Sequence, residues 1–553
     1  MTTPPSEIPK NFTPFDGIGL CFSGGGYRAT FFDLGVVAYL NRIHYDGTSL
    51  LDKVIALSSV SGGTLLAVAF AKAAQEPTYT FGKFYKAFYA AFTPENDRLL
   101  QTAIDKLEDP QVWVKNAYKK RSLINAFALT YAEMPFFSGG FDIFENPKSE
   151  KLKNICFNAT DFSFGLIFRF QNTGVFGNGT LRSSELNAIK YQTQLGDIVA
   201  SSSCFPMGFE PLIFPDDYYK DQDSSEYVAL KATADFKDGV GIMDGGIADN
   251  QGIKSMLNIS RQKDVRDHFN LLVVNDVGSY KMVPWIPDVS KLKDKTTLKV
   301  VLAKIFSYFR LNLLYVLPLM VGIALLILNY MHVFADTSLS VLNIVGGFLT
   351  GIGLILTIFG IVSAKVKNQV LDTVDDLWIK HVPEALQSDV LSFENLPVGL
   401  LKRLLVNRMS STFKMVYDVF LKQIRRLNYE ILYMLEELDH KRMTSTVYEL
   451  NGKKSPYKKH TTHKEIEPAT KKLTDAALIA SECPTTLWWG KDDIAVDRMG
   501  NLVACGQFTT CYSLMVYIIE LRNDGVDSPQ LQALYADLEK DWLLFNEEPK
   551  RWV

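Results

Sequence analysis

Two apolar stretches constrain this chain more than any other feature. Leu311 to Phe334 and Leu339 to Ala364 contain no Lys, Arg, Asp or Glu. Each is long enough for the roughly 20 residues that cross a bilayer as a helix. Only Ala335-Asp336-Thr337-Ser338 joins them, so a helical hairpin is the natural product, and Gly346, Gly347, Gly351, Gly353 and Gly360 give its second arm small residues for close helix contact. Lys291, Lys293, Lys295, Lys299, Lys304 and Arg310 precede the pair, Lys365 and Lys367 follow it, and the link carries no Lys or Arg. The positive-inside rule then puts both flanks on the cytoplasmic side. The expectation is a two-pass protein of the plasma (inner) membrane with its N- and C-terminal soluble parts cytoplasmic; a buried pair of soluble helices is the alternative.

The rest of the 553 residues reads as globular. Hydrophobic residues make up 47% and charged residues 22%, and net charge is -3, so a sizeable core is available and no basic field points to nucleic acid. The six cysteines form no C-x-x-C pair and no zinc spacing, which fits buried reduced thiols in a reducing compartment. Met1 to Asp16 holds Pro4, Pro5, Pro9 and Pro14 and lacks a basic-then-apolar leader, so a flexible arm is expected. An apolar run, Ile18 to Phe22, leads into Ser23-Gly24-Gly25-Gly26-Tyr27-Arg28 and a helical stretch. A second run, Val54 to Val60, leads into Ser61-Gly62-Gly63-Thr64 and another. Strand, glycine turn and helix, twice over, argue an α/β fold with a parallel sheet, to which Asn154 to Asn158, Leu166 to Phe170 and Leu271 to Val274 add strands. Phe81, Phe84, Tyr85, Phe88, Tyr89 and Phe92 fall on one helical face, which suits a core-facing helix, or else a lid or acyl-chain channel. Val398 to Leu438 reads as a helix with a basic face of Lys402, Arg403, Arg408, Lys414, Lys422, Arg425 and Arg426, fit for anionic headgroups, for solvent or for a dimer contact.

Three places carry chemistry. Ser61 sits between an apolar strand and a helix, the setting of a nucleophile elbow, where flanking residues must be small. Ser59-Val60-Ser61-Gly62-Gly63 differs from G-x-S-x-G in having Ser59 for the first glycine; such a turn is also found with no catalytic role, and Ser58 and Ser59 are fallback nucleophiles. Gly24, Gly25 and Gly26 open a helix, so their amides can converge on an oxyanion. A phosphate-binding turn is the alternative, but no G-K-[ST] follows. Arg28 supplies a positive charge beside them, for a substrate phosphate or for the loop's own structure. Asp244 in Asp244-Gly245-Gly246 is a carboxylate on a glycine turn, the residue type that can accept a hydroxyl proton. None of the seven histidines has the context of a Ser-His-Asp triad; His460 and His463 are a weak metal signal in a Lys-rich loop. No acidic cluster of calcium-loop type occurs, so neither metal nor cofactor is expected.

Taken in order, Gly24-Gly25-Gly26-x-Arg28, Ser61 on its elbow and Asp244-Gly245-Gly246 resemble the patatin-like phospholipase family, in a bacterial-type form with an inserted hairpin. Asn158-Ala159-Thr160-Asp161, Ala200-Ser201-Ser202-Ser203-Cys204-Phe205-Pro206 and Asp249-Asn250-Gln251-Gly252 extend the likeness over about residues 17–280. The resemblance implies an α/β patatin-like sheet flanked by helices, and a Ser-Asp dyad without histidine. Ser61 would attack the acyl carbon, Asp244 would take its proton, and Gly24, Gly25 and Gly26 would form the oxyanion hole. Membrane phospholipids would be both substrate and environment, with no nucleic acid partner; a homo-oligomer stays open. The implied organisation is an arm (1–16), a catalytic core (17–280), basic flanks and hairpin (281–368), an amphipathic helical region (369–450), a polar loop (451–472) and C-terminal helices that complete the catalytic domain (473–553). Two other readings share these motifs: an inactive patatin-fold membrane scaffold, and a membrane-damaging effector held silent until a ligand activates it.

Overall fold

The computed structural model describes residues 12–145, 147, 152–179, 184–279, 283–289, 296–297, 299–301, 304, 313–331, 341–358, 396–453 and 463–553. Much of the expected arm, the link and outer ends of the hairpin, most of its basic flanks, and His460 lie outside these residues. The chain divides into two compact units, Met1–Val283 with Val416–Val553, and Pro284–Met415.

The first unit is built on an eight-stranded sheet. Its strands are β1 (Ile18–Phe22), β2 (Val54–Val60), β3 (Asn154–Asp161), β4 (Leu166–Gln171), β5 (Leu212–Phe214), β6 (Val240–Asp244), β7 (Leu271–Asp276) and β8 (Arg442–Thr446). The order is β8-β7-β1-β2-β3-β6-β5, with β4 also paired to β3. Strands β8, β7, β1, β2 and β3 run parallel, while β4, β5 and β6 are antiparallel to their neighbours. The parallel strands are covered on both faces, which is why β1, β3 and β7 read as continuous buried runs rather than alternating ones. The architecture is mixed α/β with flanking helices, as the resemblance implies.

Helices α1 (Gly26–Arg42) and α2 (Gly62–Ala73) leave the sheet at β1 and β2 and cover one face with α3 (Phe81–Ala91) and α4 (Leu195–Ser202). On α3, Phe84 and Phe88 are buried, and Phe88 packs on Phe31 of α1; the aromatic face is the core-facing one. Helix α5 (Ile253–Ser260) lies on the opposite face. Phe15 is fully buried against Tyr45 and Tyr517, so the packed domain starts before Gly17.

In the second unit, α6 (Leu313–Tyr330) and α7 (Val341–Ile358) pack on each other. A Cβ on Gly322 would lie 2.5 Å from Thr350 N, and one on Gly353 would lie 2.1 Å from Leu319 N, so glycine permits the backbones to meet. Asn329 Nδ2 donates to Asn343 Oδ1 at 2.6 Å across the pair. Their outer faces present Leu317, Met320, Ile344, Phe348 and Ile355, all at least half exposed. Helix α8 (Val398–Lys414) follows and buries none of its residues.

Back in the first unit, α9 (Leu421–Met434) packs against α5 and the short helical turn Gly246–Asp249. Arg425, read from sequence as part of a basic face, is buried and paired with Asp276 at 2.6 Å. The chain then forms β8, a strand within a region read as helical. Helices α10 (Arg498–Asn523) and α11 (Pro529–Glu547) close the unit. Among the described residues, two helices are long and apolar enough to cross a membrane, α7 and α10, with 11% and 89% of their apolar windows buried; α10 is the central core helix. It crosses α1 where Gly506 meets the Phe32 carbonyl and Gly35 meets that of Val503, at 2.0 and 2.1 Å from an added Cβ. Arg42 at the end of α1 clasps Asp541 of α11 and stacks on Trp552. All six cysteines are buried and free.

The crossing gives a stability prediction. Gly506→Leu drives a side chain into backbone that cannot repack, so it costs about 3 kcal/mol, the upper end of the usual overpacking range. Gly82→Ala, into open helical space, shifts stability by no more than about 1 kcal/mol, in the stabilising direction. Denaturant unfolding of the two variants beside wild type checks both.

Candidate active site

The register of β3 decides what meets what. Strand β4 holds one edge of β3 from Cys156 to Asp161. The other edge is shared: β2 occupies it up to Asn158, opposite Val60, and β6 takes it over from Ala159, opposite Asp244. The residue that follows Val60 is therefore set beside the last residue of β6. Ser61 Oγ donates to Asp244 Oδ2 at 2.6 Å, across 183 residues of sequence.

Ser61 adopts φ 51°, ψ -123°, a backbone conformation that costs a non-glycine residue about 1–3 kcal/mol and persists only where its surroundings enforce it. Gly62 and Gly63 allow the enforcement. A Cβ on Gly62 would fall 2.0 Å from Gly26 O, and one on Gly63 2.7 Å from Ser23 O. A chain of hydroxyls holds the turn from the other side. Ser202 Oγ accepts from Ser61 N at 2.8 Å and donates to Asn158 O at 2.6 Å. Thr64 Oγ1 lies 2.8 Å from Ser202 Oγ and 2.9 Å from Ser59 Oγ. Running Ser59 to Thr64 to Ser202 to Asn158, each hydroxyl donates once and is satisfied. Ser59, where the usual motif has glycine, is thus a member of the network. Ser58 is fully buried, donating to Gly252 O and accepting from Asn158 Nδ2.

Asp244 is held on three sides. Thr160 Oγ1 donates to its carbonyl, its own amide donates to Cys204 O, and Gly246 N donates to Oδ1 at 2.7 Å. Burial pushes its carboxyl up from 3.8 to about 6, against the lowering effect of the Ser61 and Gly246 hydrogen bonds. A carboxylate near 6 is ionised at neutral pH and basic enough to hold a proton in transit.

Of the three glycines, Gly24 donates its amide to Asn250 O at 2.8 Å and is occupied. The Gly25 and Gly26 amides, and that of Gly62 at the start of α2, have no acceptor among the described residues. Gly25 and Gly26 have φ 156° and 56°; the second is strongly disfavoured for any residue with a side chain. Arg28 turns elsewhere: Nη1 donates to Tyr448 OH at 2.8 Å and contacts Ser481 O at 3.4 Å. These bonds tie α1 to the C-terminal part of the unit. Asp249 is buried and accepts from Ile253 N, Lys254 N and Asn428 Nδ2. No group of three His, Cys, Asp or Glu side chains poised for a metal occurs among the described residues.

Comparison with known families agrees with this architecture. The patatin-like phospholipase family model matches residues 20–257, the stretch that holds the glycine loop, Ser61 and Asp244. Over residues 20–257 the chain is thus similar to the patatin-like phospholipases. No curated protein matches the chain significantly.

In the sequence Ser202, Asn158 and Thr64 are legible only as surroundings of the motifs. Ser202→Ala removes an acceptor and a donor from a buried network, and should lower stability by about 1–3 kcal/mol. Asp244 gives a pH-dependent prediction. Its raised carboxyl favours the fold at pH below about 3.8, and that contribution is lost as pH rises through about 6, leaving a cost of about 3 kcal/mol above it. Asp244→Asn avoids that cost, so its Tm should exceed that of wild type at pH 8 and match it at pH 4, measured by thermal unfolding at the two pH values.

Proposed function

We propose that this chain is a membrane-anchored acyl hydrolase that cleaves carboxylic esters of phospholipids or lysophospholipids through a Ser61–Asp244 dyad. The observation that carries the reading is the 2.6 Å hydrogen bond from Ser61 Oγ to a buried carboxylate poised near pH 6. Ser61 Oγ attacks the acyl carbon as its proton passes to Asp244 Oδ2. The oxyanion develops towards the unoccupied amides of Gly25, Gly26 and Gly62. Collapse breaks the ester C–O bond, and the leaving alcohol takes the proton from Asp244. Water then attacks the acyl-serine with Asp244 again as base, releasing the fatty acid. Histidine and metal have no part in this scheme.

Anchoring is supported by the α6–α7 pair, uncharged, bound to each other by glycine contacts and an Asn–Asn hydrogen bond, with apolar side chains outward. Unlike α10, α7 has almost no protein cover. With Lys299 and Lys304 preceding α6, the flanking charge favours the cytoplasmic face of the plasma membrane for the soluble parts. Tethering the site beside its substrate raises the local lipid concentration without new contacts. The low exposure of Ser61 and Asp244, 7% and 6%, favours a second form of the same reading, an effector that is closed at rest. Slow basal hydrolysis that rises sharply on adding cell extract would mark it.

Ser61→Ala and Asp244→Asn should each lower phospholipid hydrolysis by about a thousandfold or more while both proteins still sediment with membranes. Wild-type kcat/KM should rise about tenfold per pH unit below pH 6 and level off above it. Full activity in Ser61→Ala would assign the nucleophile elsewhere. Protease added outside sealed cells should leave both soluble parts intact; cleavage within Lys453 to Lys472 from outside would reverse the topology.

A further inference from the structure

An ester carbonyl must come within about 3–3.5 Å of Ser61 Oγ, yet both members of the dyad are almost covered. Some part of the cover has to move for a large substrate, and one segment is built to do so. The turn Met415–Phe420 is π-helical and buries none of its residues; such turns recur at functional sites. The helix that follows it, α9, is fixed by buried bonds from Arg425 to Asp276 and from Asn428 to Asp249. The turn is thus the stretch of helix just beyond the anchored part. Its Tyr417 reaches back across 211 residues and donates its hydroxyl to Pro206 O at 2.6 Å. Pro206 belongs to the loop whose Cys204 carbonyl receives the Asp244 amide. Tyr417 is also close enough for the Asp244 charge to add to the burial that raises its phenol. Beyond the grip, Met207 is held at φ 71° and is half exposed, as is Phe420.

We propose that Tyr417 is a specificity-determining latch: its hydrogen bond to the Pro206 carbonyl holds the Met415–Phe420 turn over the Ser61–Asp244 dyad, and its release admits two-chain lipid esters that the closed form excludes. Small esters react with closed and open forms alike; bulky ones react only with the open fraction, so their apparent affinity scales with that fraction. Tyr417 lies in a segment beyond the matched family region, so this control belongs to this chain's C-terminal part. The proposal rests on the hydrolase reading above for what the turn guards.

The test uses the full-length, detergent-solubilised chain, as wild type and Tyr417→Phe, which keeps the ring and removes only the hydroxyl. Two quantities are measured: the ratio of kcat/KM for dioctanoylphosphatidylcholine to that for 4-nitrophenyl acetate, and amide hydrogen exchange of the peptide containing residues 415–420. Losing one hydrogen bond should raise both the ratio and the exchange rate about fivefold. Unchanged ratio and exchange overturn the latch while Ser61-dependent turnover leaves the hydrolase reading standing. An equal fall in both kcat/KM values also overturns it, reducing Tyr417 to a structural prop. Faster exchange with no turnover of either ester by either protein sustains the latch and sinks the hydrolase reading.

Discussion

The site depends on one edge of one strand. Because β4 occupies the far edge of β3 from Cys156 to Asp161, across the hand-over point, β2 and β6 must share the near one, and the hand-over falls between Asn158 and Ala159. A parallel strand ends there one residue before Ser61, and an antiparallel strand ends beside it in Asp244. Ligands of open α/β sheets bind outside the carboxyl ends of the parallel strands, and Ser61 and the glycine loop both leave the sheet at that end. The 2.6 Å bond between the two side chains is thus a consequence of backbone pairing rather than of flexible side chains finding each other.

Two costs accompany this arrangement, the disfavoured backbone of Ser61 and the buried charge of Asp244. Both are offset locally. The strain is held by the Ser202 hydroxyl and by glycines so tightly apposed that no Cβ fits at Gly62 or Gly63. The charge is stabilised by the Ser61 hydroxyl and the Gly246 amide, which keep the carboxyl from rising beyond about 6. A preorganised site of this kind needs little rearrangement when charge moves in the transition state. The C-terminal helices take part from a distance: α10 braces α1, which begins at the glycine loop, and α9 lies against the segment after Asp244 through the Asn428–Asp249 bond.

What the sequence makes legible is local. Apolar run, glycine turn and helix lie within 20 residues of one another, so β1, β2 and the turns at Gly24 and Ser61 can be read directly. The Asp-Gly-Gly turn gains its meaning only from the resemblance. What is not legible is long-range pairing. Periodicity shows that Arg425 lies on a basic helix but cannot show that Asp276 waits for it, 149 residues away. Strand β8, Arg-Met-Thr-Ser-Thr, is short and mostly polar, and acquires strand character from its place beside β7. Arg28 offers a sequence reading two roles but no partner, and Tyr448 is visible as one only in the folded chain. Among three equivalent glycines, only the fold shows that the amide of Gly24 already has the Asn250 carbonyl.

The central claim is that Ser61 is made reactive by Asp244. The direct measurement is to treat the folded, detergent-solubilised protein with a fluorophosphonate and map the adduct by mass spectrometry of its peptides. The account predicts a single phosphonylated residue, Ser61, in wild type, and its loss in Asp244→Asn under the same conditions. An adduct on another serine, or undiminished labelling of Ser61 without the Asp244 carboxylate, would contradict it.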